Sequence, residues 1–269
     1  MKTVIVGSRS NLSHGLAEVL PDPVLISARE LATSDVASLL PSGPFALVMN
    51  HFQPANRLKD LSSPTSYLQL ALGVTAQLLE SLAAHDCRKV IYTSSAAVYG
   101  DNVACREDDI PRAANLHAAL KISNEHLVRD FCAARGLDHT VVRLFNLYGG
   151  DDQFSIVARI VAAVRQRRSM VLANGGNAIR DFIHLKDVAA CYRALLEVQD
   201  LPTVNVATGE GTSVRSIVDA VRLRGYALET TSVRSQEIRI STADVTRLHE
   251  VVDTERFTRV IDHVLTELE

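Results

Sequence analysis

The chain alternates short apolar runs with segments whose apolar positions recur at helical spacing. Val4-Ile5-Val6 leads into the small polar stretch Gly7-Ser8-Arg9-Ser10-Asn11, and residues 13–20 follow as a helix that Pro21 ends. Further apolar runs stand at Val24-Leu25-Ile26 and, after the turn Pro41-Ser42-Gly43-Pro44, at Phe45-Ala46-Leu47-Val48-Met49. Between 67 and 84, Leu68, Leu72, Leu78, Leu79 and Leu82 fall at helical spacing. Val90-Ile91-Tyr92 is a strand running into Thr93-Ser94-Ser95, a helix covers 115–135 up to Gly136, and Thr140-Val141-Val142-Arg143-Leu144 is another strand. Strands alternating with helical segments are βαβ units, which build a parallel sheet.

After Gly149-Gly150 the pattern changes. A helix is predicted over 156–168, where Arg165, Arg167 and Arg168 suit the negative end of the helix dipole. Met170-Val171-Leu172, the turn Asn174-Gly175-Gly176 and the apolar patch at Asp181-Phe182-Ile183 follow. Asp187 is a good N-cap for a helix over 188–198, and Ser213 opens another that runs to about 224, with Thr203-Val204-Asn205-Val206 between them. The expected organisation is a dinucleotide-type lobe over 1–150 and a smaller mixed lobe over 151–269, part of which returns to the first.

Composition narrows the class. The 269 residues are 47% hydrophobic and 22% charged, with no Trp and a net charge of -3. A chain this long buries about 70–75% of its unfolded surface, which excludes a disulfide-stapled miniprotein or a disordered tail. No apolar run reaches the roughly 20 residues a bilayer crossing needs, and the N-terminus is too weakly apolar for a signal peptide. The expectation is a cytoplasmic protein with no membrane contact, and near-neutral charge argues against nucleic acid. Cys87, Cys105, Cys132 and Cys191 form no C-x-x-C pair and read as reduced thiols. The nine histidines show no paired ligand spacing, so no metal site is expected.

Four segments carry chemistry. A strand that turns sharply into a helix presents free N–H groups and a positive dipole end, which together hold a pyrophosphate. Here that loop reads Gly7-x-x-Ser10-x-x-Ser13, and it makes Gly7, Arg9, Ser10, Asn11 and Leu12 candidate cofactor contacts. The second segment, Thr93-Ser94-Ser95-Ala96-Ala97-Val98-Tyr99-Gly100, ends a strand in hydroxyls on the edge of a parallel sheet where ligands usually bind. The third is Arg180-Asp181-Phe182-Ile183-His184-Leu185-Lys186-Asp187-Val188-Ala189, whose Arg180 can bind phosphate through two N–H groups at once. The fourth is Arg143-Leu144-Phe145-Asn146-Leu147-Tyr148-Gly149, an amide and a turn at another strand end.

In this order and spacing, with Asn205–Val214 and Ser241-Thr242-Ala243-Asp244, these segments resemble the extended short-chain dehydrogenase/reductase family of sugar-nucleotide epimerases, dehydratases and reductases. The resemblance implies an α/β fold, a Rossmann-like doubly wound parallel sheet with a smaller C-terminal α/β substrate lobe. It implies NADP or NAD as cofactor, a sugar-nucleotide substrate, and a homodimer built on the helices over 67–84 and 115–135. By position, Ser95 would touch the reacting sugar oxygen, and Ser94 and Lys121 would face the nicotinamide end of the cofactor. Tyr99, Asn146, Arg180 and Asp244 would face the substrate, with Arg180 on its pyrophosphate and Asp244 near its nucleoside.

The chain departs from that family at several positions. The family places Tyr four residues before Lys on one helix face, and here that position is His117. Three readings stay open: His117 moves the proton itself, another group such as Tyr99 or a substrate hydroxyl does, or redox chemistry is lost and binding alone remains. Ala71 stands where the family prefers Asn, and the 26–45 stretch is too short for the usual helix plus strand. No acid ends the second strand, whereas Arg9 and Arg29 lie nearby, which tilts the expectation toward NADP.

Overall fold

A computed structural model of the protein describes residues 1–51 and 63–269. Its first half is β1 (Lys2–Val6), α1 (Asn11–Val19), β2 (Pro23–Ile26), the short α2 (Ala28–Thr33) and α3 (Val36–Leu39), and β3 (Phe45–Met49). There follow α4 (Pro64–Leu68), a π-helical turn (Gln69–Gly73), α5 (Val74–Ser81), β4 (Cys87–Ser95), β5 (Asn102–Cys105), α6 (Leu116–Arg135), β6 (Asp138–Leu144) and β7 (Asn146–Tyr148). The remainder runs α7 (Ile156–Arg165), β8 (Met170–Ala173), β9 (Ile179–His184), α8 (Leu185–Leu195), β10 (Thr203–Val206) and β11 (Gly211–Ser213). It closes with α9 (Val214–Leu223), β12 (Thr230–Val233), β13 (Ile240–Ala243), α10 (Thr246–His249) and α11 (Val260–Leu268).

Among the described residues, six parallel strands form the main sheet in the order β2-β1-β3-β4-β6-β10. Both faces are covered, which is why its strands read as unbroken apolar runs. Ile5, Ala46, Val48, Ile91 and Val142 pack against Leu16 of α1 and Val188 and Tyr192 of α8. Val4, Val6, Leu47, Met49, Val90 and Tyr92 face the other way, against Val74 and Leu78 of α5 and Val128 of α6. The doubly wound α/β architecture expected from the sequence is the one observed. Among the described residues no helix is long and apolar enough to cross a membrane.

Strand pairing crosses the expected boundary at residue 150 more than once. β10 pairs with β6 and α8 packs on the first sheet, while β5 leaves the first half to pair with β13 in the second sheet, β11-β9-β13-β5. Segments from either side of residue 150 are thus interleaved within both sheets. Between β2 and β3 the chain makes only α2 and α3, so β2 is the sheet edge.

Three local expectations shift. The helix placed at 188–198 begins at Leu185, directly after β9, and its cap is His184, whose Nδ1 accepts from Lys186 N at 3.1 Å. Asp187 therefore sits in the first turn, and its carboxylate accepts from Thr258 N at 2.8 Å. The helix at 156–168 ends at Arg165, because Arg167 takes a left-handed conformation with φ of 52°. The helix at 67–84 is broken by the π turn at Gln69–Gly73, and the Ala71 carbonyl accepts from Asn124 Nδ2 of α6 at 2.8 Å.

α6 starts at its cap Asn115 and ends at Gly136, as the sequence predicts. A buried charge cluster fixes it to the sheet. Glu125 lies 2.9 Å from Arg143 Nη2 and 3.2 Å from Arg143 Nε, and accepts from Arg129 at 3.1 Å and from the Ser94 hydroxyl at 2.5 Å. Glu125 and Arg143 are both almost wholly buried. Glu125→Ala is expected to cost about 3–5 kcal/mol in urea unfolding, since it strands the Arg143 guanidinium. The double variant with Arg143→Met should recover much of that loss, and equal stability of Glu125→Ala and wild type would contradict the assignment.

Candidate active site

β1 lies between β2 and β3, so the chain leaves β1 in one direction and returns on its other side. Such a switch opens a crevice at the C-terminal strand ends. Gly7 ends β1 with φ of 108°, and a Cβ there would stand 2.7 Å from the Asn50 carbonyl oxygen. Only glycine fits. Ser10 caps α1 by accepting from Ser13 N at 3.0 Å. Asn50, at the end of β3, donates to both serine hydroxyls at 2.9 Å, and Ser13 is fully buried.

The serines that replace two loop glycines are therefore turned toward the sheet and leave the mouth of the loop open. The backbone N–H groups of Arg9, Asn11 and Leu12 have no acceptor among the described residues, and the first turn of α1 holds no acid. That arrangement fits a pyrophosphate. The side chains play other parts: Leu12 is buried in the core, and Asn11 clamps the loop after β7, donating to Gly149 O at 2.8 Å and accepting from Asp151 N at 3.0 Å.

Arg9 and Arg29 are both exposed. Just past β2, Ser27 and Glu30 form a capping box in which the Glu30 carboxylate accepts from Ser27 N at 2.7 Å. Glu30 titrates below the usual carboxylate range because of its Ser27 hydrogen bonds, with a smaller contribution from the Arg9 charge. Glu30 lies past the strand end, in a helix cap, where a motif anchored on the strand end does not mark it.

The end of β4 holds the hydroxyls. Ser95 caps the turn that follows, accepting from Ala97 N at 3.2 Å. Thr93 shares a hydrogen bond of 2.6 Å with the Tyr192 hydroxyl. Ser94 points inward onto Glu125 rather than toward the crevice. Tyr99 is also turned away: its buried hydroxyl donates to Asn205 Oδ1 at 2.7 Å and its ring lies 4.8 Å from the Arg143 guanidinium carbon. Burial raises the Tyr99 phenol well above its ordinary range. Tyr99 is thus a structural group and no substitute for a catalytic base.

Lys121 is buried on α6, its ammonium donating to Thr93 O at 2.7 Å and lying 5.0 Å from the Tyr92 ring centre. Burial lowers it to about 7, against the opposing pull of Glu125 one turn further along the helix. His117 stands one turn earlier, half-buried, and is lowered by burial and then by the Lys121 charge. A third base, His51, follows β3; it is buried, its Nε2 is 3.1 Å from Thr75 Oγ1, and its Nδ1 has no partner among the described residues. Burial first, and the Lys121 charge second, bring His51 down to about 3. One titrating ammonium is thus flanked by two neutral imidazoles. Strand-end position could have marked His51, but no motif drew attention to it.

On the substrate side, Asn146 donates to Asp181 O at 2.9 Å, tying β7 to β9. Arg180 is half-buried and its guanidinium is folded onto residues 237–239. Asp244 caps the next turn through Thr246 N at 2.9 Å, with Arg106 at 4.0 Å. Asp181, fully buried, holds the following loop through Thr208 N and Gly209 N, each at 2.8 Å. The fold thus brings Gly7, Ser95, His117 and Lys121 to one sheet edge, while Arg180 and Asp244 belong to the second lobe.

The family model of the NAD dependent epimerase/dehydratase family matches residues 9–207. The chain is similar to the UDP-glucose 4-epimerase of Corynebacterium glutamicum, 26% identical over 79% of this chain and 70% of that one. It is 30% identical to a bifunctional UDP-glucose 4-epimerase and UDP-xylose 4-epimerase of Pisum sativum, over 80% of this chain and 67% of the other. The chain spans between about half and 70% of the length of the curated relatives it matches. Among solved structures it superposes on MoeE5 in complex with UDP-glucuronic acid and NAD, with a TM-score of 0.85 and 23% identity, over 100% of this chain and 98% of that one.

The lowered Lys121 gives a pH test. From about pH 7 to the usual lysine range the unfolded chain holds a proton that the folded chain lacks, so stability rises with pH across that window. Lys121→Met removes this dependence. Relative to wild type, the variant's stability in urea should fall by at least about 1 kcal/mol between pH 7 and pH 10. A difference that stays constant with pH would show that Lys121 keeps an ordinary pKa.

Proposed function

The chain belongs to the NAD-dependent epimerase/dehydratase family, and from that premise we propose that it is an enzyme acting on a nucleotide sugar with a nicotinamide dinucleotide. The observation that carries this reading is Lys121, buried and lowered to about 7, one helical turn from His117 at the sheet edge that also bears the Gly7 loop. A bound nicotinamide would exchange a hydride with a sugar carbon, as an epimerase, dehydratase or reductase requires. The N–H groups of Arg9, Asn11 and Leu12 would hold its pyrophosphate.

The chain's own residues supply proton transfer and orientation. Ser95 hydrogen-bonds the sugar oxygen, and neutral His117 accepts the hydroxyl proton as the carbon is oxidised. A Lys121 ammonium at full charge would oppose protonation of His117. Because burial brings Lys121 near neutrality, its charge opposes protonation of His117 less than a permanent ammonium would. Arg180 takes the substrate diphosphate, with Asn146 and Asp244 nearby.

We further read the dinucleotide as NAD, which supersedes the tilt toward NADP drawn from Arg9 and Arg29. Glu30 places a carboxylate just past β2, where it favours a ribose hydroxyl and repels a phosphate. A homodimer through the segments 67–84 and 115–135 accords with the exposed Leu68, Leu116 and Leu127.

The test is turnover of UDP-hexoses and 4-keto sugar nucleotides with either dinucleotide. His117→Ala should lower kcat by about 10²–10⁴-fold with KM little changed, and NAD should outperform NADP. Equal rates for variant and wild type would remove His117 from the mechanism. Binding of both ligands without turnover in the wild type would assign the alternative, a non-catalytic binding protein of the same fold.

A further inference from the structure

Arg180, the cation that the proposed function assigns to the substrate diphosphate, already faces an anion of its own chain. Its Nη2 donates to Ile238 O at 2.6 Å and lies 3.6 Å from Glu237 Oε2. Its Nη1 donates to Ile179 O at 2.9 Å and stands 3.5 Å from Arg239 O. Three carbonyls and a carboxylate around one guanidinium make an oxygen-rich acceptor set, as a diphosphate would.

All of these acceptors except Ile179 O lie on a strap, residues 235–240, pinned at both ends. At one end Asn174 Nδ2 donates to Glu237 Oε1 and to Ser235 O, each at 2.7 Å, and Ser235 N returns a bond to Asn174 Oδ1 at 3.1 Å. At the other, Asp101 of the first lobe accepts from Ile240 N at 3.0 Å and from Arg239 Nε at 3.1 Å. Ser235 and Gln236 are exposed, so little apolar surface resists displacement of that end. Polar contacts to the Asn174 amide hold it instead.

We infer that Glu237 is an internal competitor for the diphosphate on Arg180, so that the strap 235–240 yields when a nucleoside diphosphate binds. This rests on the reading of Arg180 given above. It makes Glu237 a specificity-determining residue: a ligand must displace a carboxylate together with the strap carbonyls, and a diphosphate, with more charge and more oxygens than a monophosphate, does so more readily.

Calorimetric titration with inorganic pyrophosphate, UDP and UMP, in the presence of saturating NAD, tests the inference. Glu237→Gln should tighten pyrophosphate and UDP by about fivefold to tenfold and narrow the preference for UDP over UMP. Arg180→Gln should weaken both and abolish the gain from Glu237→Gln in the double variant. Asn174→Gly, which frees the strap without changing a charge, should move affinity in the same direction as Glu237→Gln. Unchanged affinity in Glu237→Gln, with Arg180→Gln still weakening binding, overturns this inference and leaves the proposed function standing. Absence of diphosphate binding in every variant overturns both.

Discussion

An ammonium group buried at the end of a parallel sheet is the constraint on which the rest of the site depends. Lys121 is buried, with its ammonium donating to the Thr93 carbonyl and standing over the Tyr92 ring, and taking a charge out of water is costly. Glu125, a turn further along α6, offsets part of that cost from below. Glu125 is itself buried and needs Arg143, Arg129 and Ser94 to satisfy it. The requirement therefore spreads from α6 into β4 and β6, and it accounts for a hydroxyl at the strand edge that faces the core instead of a ligand. Burial, and secondarily the Lys121 charge, keep His117 and His51 neutral, so proton-accepting nitrogens gather around it.

A parallel economy governs the loop after β1. Serine in place of glycine would ordinarily crowd an approaching phosphate. Here Asn50 draws both hydroxyls toward the sheet, and Gly7, the one glycine that remains, stands where a Cβ would strike the Asn50 carbonyl. Loss of two glycines is thus compatible with an open helix N-terminus, because β3 supplies the partner that turns their replacements aside.

Much of this was legible in the sequence. The apolar runs of β1, β3, β4 and β6 are buried on both faces, so burial alone writes them into the chain, and the caps at Asn115 and Gly136 bound α6 where propensity puts them. The Gly7 loop and the hydroxyls that end β4 could be found because local order fixes them to strand ends, whereas His117 and Lys121 follow from the resemblance to a family with Tyr four residues before Lys. What escaped depends on distant partners. Tyr99 reads as a free phenol until Asn205, on β10, takes its hydroxyl. Asp187 reads as a cap until β9 runs into α8 without a loop and Thr258 claims the carboxylate. The return of β10 to the first sheet and the strap over Arg180 have no local signature, since each is set by pairing between segments far apart in the chain.

The central claim is that His117 and Lys121 together move the proton of a hydride-transfer reaction. It is tested most directly by rapid mixing of the NAD-loaded protein with UDP-glucose or UDP-glucuronic acid, following the absorbance of reduced nicotinamide in a single turnover across the pH range. The account predicts a transient of reduced nicotinamide whose rate inflects near pH 7, the value at which Lys121 titrates, and loss of that inflection in Lys121→Met. Saturable binding of both ligands with no reduced nicotinamide at any pH would contradict it.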